Sequence, residues 1–142
     1  SWQARGHAHE GPDPRCNWLF DPAYVSGQVL KAQVGPDLKI TSPPKADRVG
    51  QQSHFWFDGR QAPWTAESDW AKARELLPER SMTVSAWVSV DKTRTYGGIV
   101  SAIQDNGDAE AGWVLGYDKT SFYFGLASVG ADDGNGMMTY LV

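Results

Sequence analysis

Two short stretches of the sequence concentrate oxygen ligands of the kind that bind a hard cation. Residues 104–110 read Gln-Asp-Asn-Gly-Asp-Ala-Glu, and residues 131–136 read Ala-Asp-Asp-Gly-Asn-Gly. Such oxygens in flexible loops suit Ca²⁺, so if calcium is a cofactor we expect its ligands to be Asp105, Asp108, Asp132 and Asp133. Neither stretch has the EF-hand spacing, and Asp, Asn and Gly dominate ordinary turns. Ordinary turns are therefore the leading interpretation.

Tryptophan side chains offer a second kind of chemistry, because Trp56, Trp87 and Trp113 each lie on a predicted strand. Trp87 lies between Ser85 and Ser89 on the more polar face of its strand. An indole there could stack on a sugar ring while nearby hydroxyls and carboxylates fix the orientation of the sugar. The alternative for all three is packing within or between sheets, since large aromatic side chains dominate core burial. Packing is the leading interpretation, by a smaller margin for Trp87.

Patterns for catalysis are incomplete. Glycosidases place two carboxylates across the scissile bond, and the nearest candidates here, Asp108 and Glu110, fall in a turn-rich stretch without a matched third acid. His7 and His9 could offer imidazoles to a transition metal, but a pair at i, i+2 does not close a site. No nucleophile elbow and no phosphate-binding glycine motif occurs. The sequence predicts no catalytic residue and no enzymatic activity for this segment.

Composition narrows the class of protein. The chain has 142 residues, 41% of them hydrophobic, which suits one domain with one core. No stretch is long and charge-free enough to span a membrane. The net charge of −4 is spread along the chain, which argues against nucleic acid and anionic membranes as partners. Cys16 is the single cysteine and so has no partner for an internal disulfide. The sequence starts at Ser1 without Met or a signal segment, which predicts a processed or excised fragment.

The elements that must position these residues are mostly short strands. Residues 1–26 are rich in Gly, Pro, Asp and His and predict an irregular arm, anchored by Trp18, Leu19 and Phe20. The remainder, residues 27–142, is expected to form one domain. In its first half we predict a strand pair over 29–34 and 38–41, a loop up to residue 52, a strand over 53–57, and one short helix begun by Ser68 and ended by Pro78.

The second half predicts more strands. Residues 82–90 alternate Met, Val, Ala, Val, Val with Thr, Ser, Trp, Ser, which is the pattern of a half-buried strand. Further strands are expected at 99–103, at 113–117 paired with 121–126, and from Met137 to the last residue, where the domain looks cut short. The fold class is therefore all-β, an antiparallel β-sandwich or jelly roll with one short helix.

Three pieces of the chain resemble the laminin-G-like jelly-roll domains of the concanavalin A-like superfamily. They are Phe-Trp-Phe-Asp-Gly at 55–59, Met-Thr-Val-Ser-Ala-Trp-Val at 82–88, and Gly-Trp-Val-Leu-Gly-Tyr at 112–117 followed by Phe-Tyr-Phe-Gly-Leu at 122–126. The Gly-Ile-Val-Ser run at 98–101 is similar to another strand of that family. The likeness covers residues 53–142. It implies two curved sheets, in an accessory module of a larger secreted, periplasmic or cell-surface protein.

The resemblance implies a non-catalytic module that binds a glycan or a protein, with the rest of the parent protein, or another chain, completing the sandwich. Two alternatives remain. One is a structural accessory domain packed on a secreted hydrolase such as a calcineurin-like phosphoesterase, since Gly-His-Ala-His at 6–9 is similar to one motif of that family, whose other motifs are absent. The other is a partial glycosidase-like domain.

Overall fold

The computed structural model describes residues 13–42, 45–49, 52–67, 69–78, 80–105, 110–127 and 139–142. Contacts divide the chain into two compact units, Ser1–Ala66 and Glu67–Val142. All sheets described are antiparallel, and they are accompanied by one short α-helix and one short 3₁₀ helix. The predicted all-β, antiparallel class is confirmed. The face-to-face packing of a single sandwich over residues 27–142 stays a prediction.

The first unit begins with a small three-stranded sheet. Strands β1 (Val25–Ser26), β2 (Val29–Leu30) and β3 (Leu38–Lys39) are adjacent in that order. The strand pair predicted over 29–34 and 38–41 is confirmed as the pairing of β2 with β3, over a shorter length, with Leu30 opposite Leu38. A 3₁₀ helix, Pro22–Tyr24, precedes β1, so residues 22–26 of the predicted arm have regular structure.

The core of the first unit consists of Leu30, Leu38 and Ile40, and Leu30 is fully buried. Trp18 packs against this core and donates its indole N–H to the carbonyl of Pro36 at 2.8 Å. Asn17 forms a bridge with Val34. The predicted anchoring role of Trp18 is confirmed, because its ring replaces water at the core while its polar atom keeps a hydrogen-bond partner.

A β-hairpin completes the first unit. Strand β4 (Lys45–Val49) pairs with β5 (Gln52–Trp56), which confirms the predicted strand near residue 55. The loop predicted up to residue 52 is wrong over β4. Its sequence, Lys-Ala-Asp-Arg-Val, has no apolar alternation, and the strand exists because the backbone of β5 supplies its hydrogen bonds.

The second unit begins with helix α1 (Trp70–Leu76), which confirms the predicted helix. Asp69 caps it by accepting a hydrogen bond from the amide of Ala71 at 3.0 Å. The cap predicted at Ser68 lies outside the described residues. No helix among the described residues is long and apolar enough to cross a membrane.

A four-stranded sheet forms the rest of the second unit. Strands β6 (Gly97–Asp105), β7 (Glu110–Tyr117), β8 (Phe122–Ala127) and β9 (Thr139–Leu141) are adjacent in chain order. The strands predicted near 99–103, 113–117, 121–126 and the last residues are therefore confirmed. At the β7–β8 turn Asp118 accepts hydrogen bonds from the amides of Thr120 and Ser121, at 2.7 and 2.8 Å.

The strand predicted over residues 82–90 is wrong for the isolated chain. These residues belong to no strand or helix, and Trp87 is 98% exposed. Alternation of side chains is necessary for a half-buried strand, but a strand also needs a neighbour whose backbone completes its hydrogen bonds. None of the strands described pairs with this segment.

Candidate functional site

The β4–β5 hairpin has two chemically different faces. Residues that are directly opposite each other share a face of the sheet, and neighbours along a strand alternate between faces. In the register of the hairpin, Lys45 is opposite Trp56 and Asp47 is opposite His54. Phe55 points to the other face, where it packs against the core of the first unit. The face with Lys45, Asp47, His54 and Trp56 is therefore turned away from that core, and we call it the polar hairpin face.

The polar hairpin face combines an aromatic surface with polar groups of every hydrogen-bonding type. Trp56 is 43% exposed, Lys45 and Asp47 are exposed, and His54 is half-buried. Side chains directly opposite each other in an antiparallel pair have β-carbons about 4.5–5.5 Å apart. Asp47 also accepts a hydrogen bond from the amide of Arg48 at 2.7 Å. The indole thus shares its face of the hairpin with an ammonium donor, a carboxylate acceptor and an imidazole.

The opposite side of the hairpin is held by a cluster of aromatic rings around Trp64. Phe20 stacks on Trp64 with ring centroids 5.8 Å apart, and Phe55 and Phe57 each meet it edge to face at 5.2 Å. Such pairs stabilise by about 0.5–1.5 kcal/mol each beyond their area burial. This aromatic cluster packs against β5 from the side opposite the polar hairpin face.

The other two candidate tryptophans have different surroundings. Trp113 is half-buried on β7, stacks on Phe124 with centroids 6.1 Å apart, and has a buried indole nitrogen without a hydrogen-bond partner in the described structure. Packing is therefore the role that its geometry favours. Trp87 is almost fully exposed on a segment outside the strands. Trp56 lies in the first unit, and the other two lie in the second.

The structure does not describe the side chains of the predicted calcium ligands. Asp108, Asp132 and Asp133 lie outside the described residues, and Asp105 is the last residue of β6, with its side chain also outside them. Within the described residues, no group of three or more His, Cys, Asp or Glu side chains could hold a metal ion. The calcium site stays a prediction.

A nucleophilic role for Cys16 is disfavoured by its surroundings. Burial raises the pKa of the Cys16 thiol, and the nearby charge of Arg15 lowers it by a smaller amount. The thiolate is the reactive form of cysteine, so a raised pKa leaves this side chain mostly protonated at neutral pH. The geometry around Cys16 therefore adds no nucleophile to the chain.

Sequence reasoning missed Lys45 and Asp47, because it assigned them to a loop, and it did not single out His54. The local signal was Gly50, a turn-forming residue shortly before the aromatic strand, whereas Lys-Ala-Asp-Arg-Val at 45–49 has no alternation. No protein-family model, curated protein or solved structure matches the chain.

Proposed function

We propose that this chain is a non-catalytic carbohydrate-binding module of a larger exported protein, and that the polar hairpin face contacts the glycan. The observation that carries the proposal is the half-exposed Trp56 with the opposed pair Asp47 and His54 on the same face. Trp56 was among the tryptophans predicted from the sequence as ligand contacts, and its neighbours add the polar groups that a sugar requires.

The chemistry follows from the two kinds of surface on a pyranose ring. Its C–H groups form an apolar patch that packs on an indole, and its hydroxyls both donate and accept hydrogen bonds. Asp47 can accept from a hydroxyl, Lys45 can donate to one, and the ring nitrogens of an imidazole such as His54 can serve as donor or acceptor. A few convergent polar groups beside an aromatic surface are the usual composition of a small-ligand site.

Rigidity favours binding at this face. The aromatic cluster around Trp64 packs against β5 from the opposite side, so the backbone of β5 has little freedom to lose when a glycan binds. The attachment to an exported protein, and hence a location outside the cytoplasm, rests on the resemblance of residues 53–142 to laminin-G-like domains.

The test is calorimetric titration of the full chain with a panel of neutral and acidic oligosaccharides. Trp56→Ala should weaken the binding of any oligosaccharide that binds by about tenfold or more, because loss of a stacking surface worth about 1.4 kcal/mol changes Kd by that factor. Asp47→Asn keeps the shape of the side chain and should weaken binding less. Phe122→Ala is the matched control, since Phe122 is also an exposed strand aromatic, at 55%.

Binding to no member of the panel would contradict the proposal. So would binding that survives Trp56→Ala unchanged while Phe122→Ala abolishes it, because the contact would then lie on the second unit. Circular dichroism of each variant checks that the fold is retained.

A further inference from the structure

The charged groups of the polar hairpin face are balanced. Lys45 is opposite Trp56 in the register of the hairpin and Asp47 is opposite His54, so the face has one lysine ammonium and one carboxylate. Both side chains are exposed, and neither forms an ion pair with another residue that the structure describes. A ligand at this face therefore meets two opposite charges and not a concentrated positive charge.

The distribution of charge along the chain points in the same direction. The first unit, Ser1–Ala66, has seven Lys and Arg against six Asp and Glu, whereas the second unit has six against eleven. The polar hairpin face thus belongs to a nearly uncharged unit of a chain whose net charge is −4. Polyanionic ligands bind through clusters of basic side chains, and this face has a single lysine.

We propose that the polar hairpin face takes neutral oligosaccharides and that Asp47 makes it discriminate against acidic ones. This inference rests on the proposed function, because it concerns the glycan that contacts Trp56. Acidic sugars carry carboxylate or sulfate groups, whereas the polar groups of neutral sugars are mainly hydroxyls. Asp47 is then a specificity-determining residue, since its carboxylate accepts hydrogen bonds from hydroxyls and repels an anionic group.

The register places Asp47 within range of a sugar on Trp56. Asp47 occupies the diagonal position to Trp56 across the hairpin, and diagonal β-carbons on one face are about 7–8 Å apart. The Debye length at physiological ionic strength is about 8 Å. Salt therefore leaves much of the repulsion between the Asp47 carboxylate and an anionic sugar in place.

Lys45 does not reverse this preference. An exposed ion pair contributes little free energy, because water and salt screen it and the lysine side chain loses rotamer freedom. An anionic group packed close to the indole also loses part of its hydration, and one exposed ammonium does not restore that loss. A hydroxyl at the same place has less hydration to lose, and Lys45 can still donate a hydrogen bond to it. The balance favours the neutral sugar.

Pairs of oligosaccharides that differ only in charge test the proposal. Each neutral oligosaccharide that binds in the calorimetric panel is compared with its form oxidised at C6, in which primary alcohols have become carboxylates. Each acidic oligosaccharide that binds is compared with its carboxyl-reduced form. The neutral member of a pair should bind about threefold to tenfold more tightly at low salt, and high salt should narrow the difference because it screens the repulsion from Asp47.

Substitutions separate the role of Asp47 from the net charge of the chain. Asp47→Asn keeps the shape and an acceptor but removes the charge, so it should weaken binding of the neutral member and strengthen binding of the acidic member by about threefold. Asp13→Asn is the matched control, because Asp13 is also exposed in the first unit but lies outside the hairpin. It should change neither affinity. Lys45→Met should enlarge the preference for the neutral member, since it removes the lysine of the face.

The outcomes distinguish this proposal from the proposed function. Binding to no member of any pair would contradict the proposed function, and this inference with it. Tighter binding of the acidic members, still dependent on Trp56, would overturn the inference alone. Equal effects of Asp47→Asn and Asp13→Asn on the acidic members would also overturn it, because the discrimination would then come from the net charge of the chain.

Discussion

Gly116 and Gly98 are directly opposite each other on β7 and β6, yet an added methyl group should have opposite effects on stability at the two positions. A β-carbon on Gly116 would lie 2.6 Å from the ring carbon Cζ of Tyr123, 2.7 Å from its hydroxyl oxygen and 2.7 Å from the carbonyl oxygen of Gly97. A β-carbon on Gly98 would meet nothing within 4 Å. Neither glycine has a positive φ.

The magnitude follows from two opposing effects. Replacing Gly by Ala restricts the unfolded chain and stabilises the native state by about 0.4–1 kcal/mol where the methyl group fits. At Gly116 the methyl group must displace Tyr123, which meets Tyr140 edge to face at 5.3 Å, or a backbone carbonyl of the sheet. Overpacking of this kind costs about 1–3 kcal/mol. Gly116→Ala should therefore lose about 1–2 kcal/mol, and Gly98→Ala should gain about 0.4–1 kcal/mol.

Urea denaturation followed by circular dichroism measures both changes. With a slope of about 2 kcal/mol per molar urea, the midpoint should fall by roughly 0.5–1 M for Gly116→Ala and rise by roughly 0.2–0.5 M for Gly98→Ala. Equal shifts in the same direction would refute the reasoning, because they would mean that the unfolded chain or strand propensity decides the effect. A rise for Gly116→Ala would show that the ring of Tyr123 moves aside at no cost.

Four further predictions concern the core, the β7–β8 turn, a packed indole and the acidic loops. Leu30→Ala should lose about 2–5 kcal/mol in urea denaturation, whereas Leu19→Ala, at a half-exposed side chain, should lose far less. Hydrogen bonds from backbone amides lower the pKa of Asp118. The ionised carboxylate therefore stabilises the native state above about pH 4, and this stabilisation is lost as the pH falls through the lowered pKa. Asp118→Ala should remove the corresponding part of the acid dependence of the melting temperature. Trp113→Phe should cost less than about 1.5 kcal/mol, because the buried indole nitrogen has no partner to lose in the described structure, and should leave oligosaccharide titrations unchanged. If the acidic loops bind calcium, Ca²⁺ at about a hundred times its Kd should stabilise the chain by about 2.7 kcal/mol relative to chelator in thermal melting, and identical melting curves would assign the loops to ordinary turns.

The strands that the sequence predicted most clearly are those with β-prone, apolar residues on both sides of a turn. The β7–β8 hairpin has apolar runs on both sides of Asp118, a residue whose side chain bonds the backbone of its own turn. Residues 29–30 and 38–39 likewise pair across a short connection. In each case local turn chemistry and β-prone side chains act together, so the sequence contains nearly all the information needed.

Two errors have a common cause. The charged β4 was assigned to a loop and residues 82–90 were assigned to a strand, because both assignments relied on the pattern of side chains alone. A strand exists where another backbone completes its hydrogen bonds, and that depends on the neighbour. For the same reason the side-chain pattern did not reveal the whole candidate site, since Lys45 and Asp47 belong to it only through the register of β4 against β5.

By itself, the sequence determined the class of the fold, the short helix, the β2–β3 and β7–β8 pairings and the group of tryptophans that includes Trp56. These depend on periodicity, turn residues and side-chain size, which are properties of neighbouring residues. Only the tertiary structure decided that Trp56 lies on a polar face, that Trp113 is packed against Phe124, and that Trp87 is exposed. Those outcomes depend on strand register and on which surfaces are covered, and neither can be read from the pattern of side chains along one segment.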